Sequence, residues 1–169
     1  MRRRGGRDTA MSVLASELAG GFIGTLVLTT LFRIASEVGW TRMDLALILG
    51  TTVTQNRRKA KAIGYAFHFV AGQLFAFAYG AFFVMIGWSS WWLGALVGAL
   101  HAVFLSAVLI NVLLPVVHPL MGTPDTAANE IALIEPPGFL MRNYGRSTFA
   151  IALAAHVAYG AIVGWAVRV

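Results

Sequence analysis

The chain contains no cysteine and few charged residues. Without cysteine it has no disulfide bond, no thiolate-ligated zinc or iron–sulfur site, and no thiol nucleophile. Charged residues make up 12% of its 169 positions and hydrophobic residues 58%. A soluble domain usually has about 25% charged residues. One soluble core of this size does not cover so much apolar surface, so the sequence indicates an integral membrane protein.

Acidic residues are scarcer than basic ones: seven Asp and Glu stand against thirteen Lys and Arg, for a formal net charge of +6. A positive balance can indicate nucleic-acid binding. Here the cations lie almost entirely outside the apolar runs, which is typical of the flanks of membrane spans. We therefore expect the lipid bilayer as the partner, and no nucleic acid. Because both flanks carry cations, the charge pattern leaves the orientation in the membrane open.

Long apolar runs account for most of the chain. Four of them approach the ~20 residues that cross a bilayer as a helix. They are residues 10–32, 62–86, 91–117 and 149–167. Two longer connections, residues 33–61 and 118–148, would then lie on the same side of the membrane. This pattern predicts one all-α domain, a four-helix transmembrane bundle that the two loops cap on one side.

Short sequences recur between the two halves of the chain. The first and third spans share a Gly/Ala pattern at residues 20–26 and 94–100, and the second and fourth share Ala-Tyr-Gly-Ala at residues 78–81 and 158–161. Their order predicts one helical hairpin present twice, as a parallel repeat. Chance recurrence of small residues is the alternative. Small residues also recur at every fourth position, a GxxxG-type spacing that favours close packing within one bundle or within a homo-oligomer.

Four ionisable side chains lie inside the predicted spans: Glu17, His68, His101 and His156. At a rise of about 1.5 Å per residue, the three histidines fall within a band of about 5 Å in depth. Ionisable groups at membrane depth are costly and usually functional. We expect a polar pocket in which the histidines meet Glu17 and two tyrosines at matching positions, Tyr79 and Tyr159.

Three interpretations of these histidines stay open. Neutral histidines can bond across helices and stabilise packing. His68, His101 and His156 can instead be ligands of a bound cofactor, a divalent metal or a haem, because imidazole is a common neutral metal ligand. They can also relay protons or metal ions together with Glu17. No spacing motif in the sequence chooses among the three.

The second loop holds a further polar group: His118, Asp125, Glu130, Glu135, Arg142 and Arg146. We expect these residues either to form a salt-bridged cap over the helix ends or to bind a divalent cation there. The chain has no nucleophile elbow, phosphate loop or paired-carboxylate motif, which argues against an enzyme.

Several short motifs stand in the last two thirds of the chain. They include His-Pro-Leu-Met-Gly-Thr-Pro at residues 118–124, Glu-Pro-Pro-Gly-Phe at 135–139, Asn-Tyr-Gly-Arg at 143–146 and His-Val-Ala-Tyr-Gly at 156–160. In these motifs, with His68 and His101 ahead of them, the chain resembles a family of small multi-pass inner-membrane proteins of bacteria with no assigned function. The resemblance implies a location in the bacterial cytoplasmic membrane. It implies no activity, cofactor or site residue.

Taken together, these features favour a small non-enzymatic membrane protein that packs tightly through Gly/Ala rows and holds a His-lined pocket under a loop cap. It would act alone, as a homo-oligomer or as a subunit of a larger membrane assembly. The alternatives are a transporter or relay for protons or metal ions and a haem- or pigment-binding protein.

Overall fold

The computed structural model describes residues 3–121, 134–167 and 169, with side chains from residue 13 onward. Within these residues the chain is helical and forms no strand; Met121 and Ile134 make one isolated bridge. The elements are α1 (Arg3–Glu37), α2 (Leu45–Gly50), α3 (Arg57–Ile86), α4 (Trp91–Phe104), a π-helical segment (Leu105–Leu113), α5 (Leu114–Val117), a short 3-10 helix (Phe139–Tyr144) and α6 (Thr148–Ala166). The predicted all-α class is confirmed for the described residues.

Four of the described helical stretches are long and apolar enough to cross a membrane: Val13–Glu37, Arg57–Ile86, Trp91–Val117 and Thr148–Ala166. The third consists of α4, the π-helical segment and α5 in succession. Compared with the predicted spans, α1 ends later, at Glu37, and α3 begins earlier, at Arg57. A hydropathy criterion leaves these turns out of the predicted spans because they carry charged residues, although they are helical.

Side-chain caps explain where the helices begin. Asn56 precedes α3, and its side chain accepts a hydrogen bond from the backbone N–H of Lys59 at 3.1 Å. Ser90 precedes α4, and its hydroxyl oxygen accepts a hydrogen bond from the backbone N–H of Leu93 at 3.3 Å. Such caps satisfy N–H groups that have no partner within the helix. Gly87, in the left-handed region at φ 69°, ends α3, so the turn between α3 and α4 is short.

α6 lies at the centre of the bundle, where glycines let two neighbours approach its backbone. A Cβ at Gly160 would overlap the backbone of Gly94, and a Cβ at Gly98 would overlap the carbonyl group of His156. On its other side α6 contacts α1, where Gly24 lies against the ring of Tyr159. Without side chains at these points, the backbones pack closely over a large area, which supplies the attraction that lipid does not.

The two loops meet over one end of the bundle. The hydroxyl groups of Thr41 and Thr148 lie 2.8 Å apart, and the backbone N–H of Arg42 donates to the carbonyl of Tyr144 at 2.7 Å. The buried His118 ring donates from Nε2 to the carbonyl of Ile48 at 2.9 Å. Its Nδ1 accepts from the N–H of Leu120 at 3.1 Å, which fixes the tautomer. We call the described residues of these loops, 38–56, 118–121 and 134–147, the cap.

Close backbone packing makes Gly160 sensitive to a single methyl group. We expect Gly160→Ala to lower the free energy of unfolding by about 1–3 kcal/mol, because the added Cβ overlaps the backbone of α4. Unfolding by SDS, followed by circular dichroism, measures this loss. Ala154→Val is the control, since Ala154 is an exposed residue of the same helix. Equal stability of the two variants would contradict close α4–α6 packing.

Tyr144 makes the cap sensitive to high pH. Its hydroxyl group donates to the carbonyl of Glu135 at 2.6 Å. Burial, together with the nearby Glu135 carboxylate, raises the pKa of Tyr144 to about 12, and Arg42 opposes this increase. An unfolded tyrosine ionises near pH 10. The neutral Tyr144 side chain therefore contributes its full stabilisation below about pH 10. This contribution to the free energy of unfolding is lost as the pH rises toward about 12.

We expect the thermal midpoint of the detergent-solubilised protein to decrease between pH 10 and pH 12, and to decrease less in Tyr144→Phe. Differential scanning fluorimetry at the two pH values measures the difference. Tyr65→Phe removes a tyrosine outside the cap and serves as the control. If Tyr144→Phe follows the wild-type pH profile, the neutral phenol does not stabilise the cap.

Candidate functional site

The three histidines of the spans meet at one cavity of about 170 Å³ between the helices. The ring centroids of His101 and His156 are 5.1 Å apart, and the edge of one ring faces the other. His68 lines the cavity from α3. Most of the remaining lining is apolar, and Met43, Ile48 and Met141 close the cavity on the side of the cap. The fold thus brings together three residues that are far apart in sequence.

His156 has a defined protonation pattern. Its Nδ1 lies 2.8 Å from the carbonyl oxygen of Ala152, one turn earlier in α6. A carbonyl only accepts, so Nδ1 carries the proton and donates it. In the neutral ring, Nε2 then holds a lone pair. This nitrogen is able to accept a hydrogen bond or to ligate a metal.

Two side chains, Tyr79 and Phe75, contact the ring of His101. Its Nδ1 lies 3.0 Å from the hydroxyl oxygen of Tyr79, and its ring centroid lies 4.0 Å from that of Phe75. Tyr79 in turn faces Tyr159 edge-on, with centroids 5.7 Å apart. The hydroxyl group of Tyr159 donates to the carbonyl of Gly72 at 2.5 Å. These aromatic rings connect α3, α4 and α6 at the depth of the cavity and orient His101.

Three buried polar atoms among the described residues have no hydrogen-bond partner: Nε2 of His68, Nε2 of His101 and Oγ of Ser106. All three residues line this one cavity. An unsatisfied buried polar atom costs about 1–3 kcal/mol, so native proteins nearly always supply a partner. The three unpaired atoms thus converge on one cavity, where water or a bound molecule would supply hydrogen-bond partners.

Ser106 belongs to the π-helical segment, which forms one wall of the cavity. The wider winding is visible at its end, where the N–H of Leu114 bonds to the carbonyl of Leu109, five residues earlier. Leu105, Leu109 and Ile110 line the cavity beside Ser106. π-helical turns are rare and are frequent at functional sites. Sequence analysis did not single out Ser106 as a site residue, although a lone hydroxyl group five residues after His101 was an available signal.

A second local irregularity lies at the cap end of the cavity. Met141 lines the cavity, is 1% exposed and has φ 57°, and its neighbour Leu140 has φ 53°. Residues other than glycine seldom adopt this left-handed conformation, which costs about 1–3 kcal/mol. Such backbone strain is concentrated at ligand sites and active sites. Here it directs a flexible thioether side chain into the cavity.

α3 and the π-helical segment form the less buried walls of the cavity. Lining residues from α1 and α6, such as Thr25 and Tyr159, are buried, whereas His68, Phe75 and Leu109 are half-buried. The outward neighbours on these two walls, which include Leu74 and Val108, are exposed and apolar. An apolar outer surface of this kind suits contact with lipid.

Glu17 is not part of the cavity. Its carboxylate lies against Gly80, at the contact between α1 and α3. Tyr159 lines the cavity directly, and Tyr79 reaches it through the bond to His101. The cavity is therefore lined by the three histidines and Tyr159, with Tyr79 bonded to His101 behind its wall and Glu17 elsewhere.

The polar residues of the second loop do not converge on one point where the structure describes them. His118 is bound to α2, and the exposed Glu135 pairs with Arg42 at 3.3 Å. Arg142 and Arg146 are exposed, and Asp125 and Glu130 lie outside the described residues. Among the residues described, no three His, Asp or Glu side chains lie close enough to hold a metal ion. The predicted cation site at the cap has no support from this part of the chain.

Comparison of the chain with protein-family models, curated proteins and solved structures finds no match.

The hydrogen bond between Tyr79 and His101 has a measurable coupling. We expect His101→Phe and Tyr79→Phe each to destabilise the protein, because each leaves a buried polar atom alone, and the double variant to lose less than the sum. The coupling energy should be about 0.6–1.7 kcal/mol, as for other hydrogen bonds between membrane helices. SDS unfolding of the four proteins measures it. Strict additivity would mean that the two groups do not interact.

Proposed function

We propose that this chain is a four-span membrane protein that binds a small, mainly apolar molecule from the lipid phase in its His-lined cavity, without chemical conversion. One observation carries the proposal: the unpaired Nε2 atoms of His68 and His101 and the unpaired Oγ of Ser106 line the same apolar cavity. An apolar pocket with a few convergent polar groups is the usual form of a small-molecule site.

Cavity size limits the ligand. A dry protein cavity of about 150 Å³ accepts benzene, and pockets for drug-sized molecules are about 300–1,000 Å³. The 170 Å³ measured here therefore suits one aromatic ring or a short branched alkyl group. The polar atoms call for a hydroxyl or similar group that both donates and accepts hydrogen bonds. A phenol-like or small alcohol-like group combines the two properties.

Haem binding and a relay for protons or metal ions fit the geometry of the cavity less well. A haem has four pyrrole rings and exceeds a cavity of this volume, although the lone pair on Nε2 of His156 suits a metal. A relay for protons or metal ions is the second candidate, because His68 also lines a polar pocket at the cap end of the helices. The position of Glu17, away from the cavity, removes one expected member of such a relay.

The proposed membrane location and the proposed internal repeat rest on sequence patterns. We place the protein in the bacterial cytoplasmic membrane, on the strength of its motif resemblance. We also retain the duplicated hairpin, which the edge-on contact between the repeated tyrosines Tyr79 and Tyr159 supports. Assembly as a homo-oligomer or as a subunit of a larger complex is compatible with the apolar outer surface of the cavity walls.

Two fluorinated probes test the proposed function. We expect 4-fluorophenol to bind the protein in neutral lipid nanodiscs and to bind more tightly than fluorobenzene, which lacks the hydroxyl group. Fluorine NMR, through line broadening and saturation transfer, measures both affinities. Ser106→Leu should abolish binding of both probes, because the larger side chain fills the cavity.

Val108→Leu provides the control, since Val108 lies on the same π-helical segment and its side chain is 48% exposed on the outer surface of the bundle. We expect it to bind both probes as the wild type does. If neither probe binds specifically, or if Ser106→Leu binds them as well as the control does, the proposed function is wrong.

A further inference from the structure

A second pocket, of about 280 Å³, lies at the cap end of α1 and α3. Three cationic side chains line it: Arg33 from α1, and Arg57 and Lys61 from the first turns of α3. Tyr65 lies beside them, and its hydroxyl oxygen accepts a hydrogen bond from Nη1 of Arg33 at 3.3 Å. We call this pocket the basic pocket.

The charges of the basic pocket do not cancel. Glu37 and Asp44 also line the pocket, but each already forms a salt bridge. Glu37 pairs with Arg33 at 2.6 Å, and Asp44 pairs with Lys61 at 2.6 Å. Within the described residues, no carboxylate lies at ion-pair distance from Arg57. The pocket therefore has one cation in excess, on a guanidinium group whose planar fork suits phosphate oxygens.

The basic pocket adjoins the His-lined cavity. Phe32, Met43, Leu45 and His68 line both of them. His68 separates a charged space at the end of the helices from an apolar space within the membrane. A molecule with an anionic group and a short apolar body would match both spaces at once.

We propose that the basic pocket binds a phosphate group. Its position supports this, because Arg33 is near the end of one candidate span and Arg57 and Lys61 are at the start of another. Cations that flank spans are expected near the lipid headgroups. Basic pockets between membrane helices commonly bind anionic headgroups. The phosphate belongs to a lipid-phase amphiphile whose apolar part enters the cavity. This last assignment depends on the proposed function.

Arginines 57 and 58 provide a matched pair of variants. Both side chains are exposed, but Arg57 lines the pocket and the adjacent Arg58 does not. Either substitution by glutamine removes one positive charge from the same turn of α3. A difference between Arg57→Gln and Arg58→Gln therefore measures the pocket rather than the net charge of the surface.

Binding is measured on the full chain in phosphatidylcholine nanodiscs, with two probes that share the phosphate group. One is a short-chain lysophosphatidic acid, followed by native mass spectrometry, and the other is inorganic phosphate, followed by phosphorus NMR. We expect Arg57→Gln to weaken binding of the lysolipid about fivefold, and Arg58→Gln to change it little. Tighter binding of the lysolipid than of inorganic phosphate would assign the site to an amphiphile, and equal binding would assign it to the free anion.

The proposal is overturned if neither probe binds, or if the two glutamine variants behave alike with both probes. Ser106→Leu separates this failure from a failure of the proposed function. If Ser106→Leu blocks 4-fluorophenol and the arginine variants change nothing, the cavity binds a ligand but the basic pocket does not bind phosphate. If 4-fluorophenol does not bind and Arg57→Gln still weakens phosphate binding, the basic pocket stands without the cavity.

Discussion

The structure depends on the direct backbone contact between α4 and α6. Gly94 and Gly98 on one helix face Gly160 and Gly164 on the other, and none of these positions has room for a methyl group. In lipid there is no hydrophobic force to bring two apolar helices together, so close packing must supply the attraction. Once α4 lies against α6, His101 and His156 face each other.

The cavity follows from this contact, because the tight packing does not extend along the whole third span. After His101 the α-helix changes to the wider π-helical segment, and Ser106 and Leu109 line an open space. α3 and the π-helical segment form the less buried walls of this space. A close glycine contact at one end and an irregular helix at the other thus leave a space around three buried, unpaired polar atoms.

Sequence patterns predict the spans well, because helices in a bilayer must be long and apolar. Hydropathy does not predict that the helices extend through the polar turns at Glu37 and Arg57, where α1 ends and α3 begins. Depth along the spans also predicts that the three histidines lie at one level. It does not predict how each helix is rotated about its axis. Glu17 accordingly lies at the contact between α1 and α3 and does not line the cavity, and Tyr79 is hydrogen-bonded to His101. Ser106 continues the row of small residues Gly94, Gly98 and Ala102 at every fourth position, a spacing that indicates packing rather than a site.

The central position of α6 affects how the protein is made. α6 follows the other three spans along the chain, so the ribosome releases it after them. Until then Gly20 and Gly24 of α1, and Gly94 and Gly98 of α4, lack the surface against which they pack. α1 and α3 already pack closely without α6, since a Cβ at Gly21 or at Gly72 would overlap the facing helix. The contacts of α6 with α1 and α4, and the cavity wall that His156 and Tyr159 supply, form only once α6 is inserted.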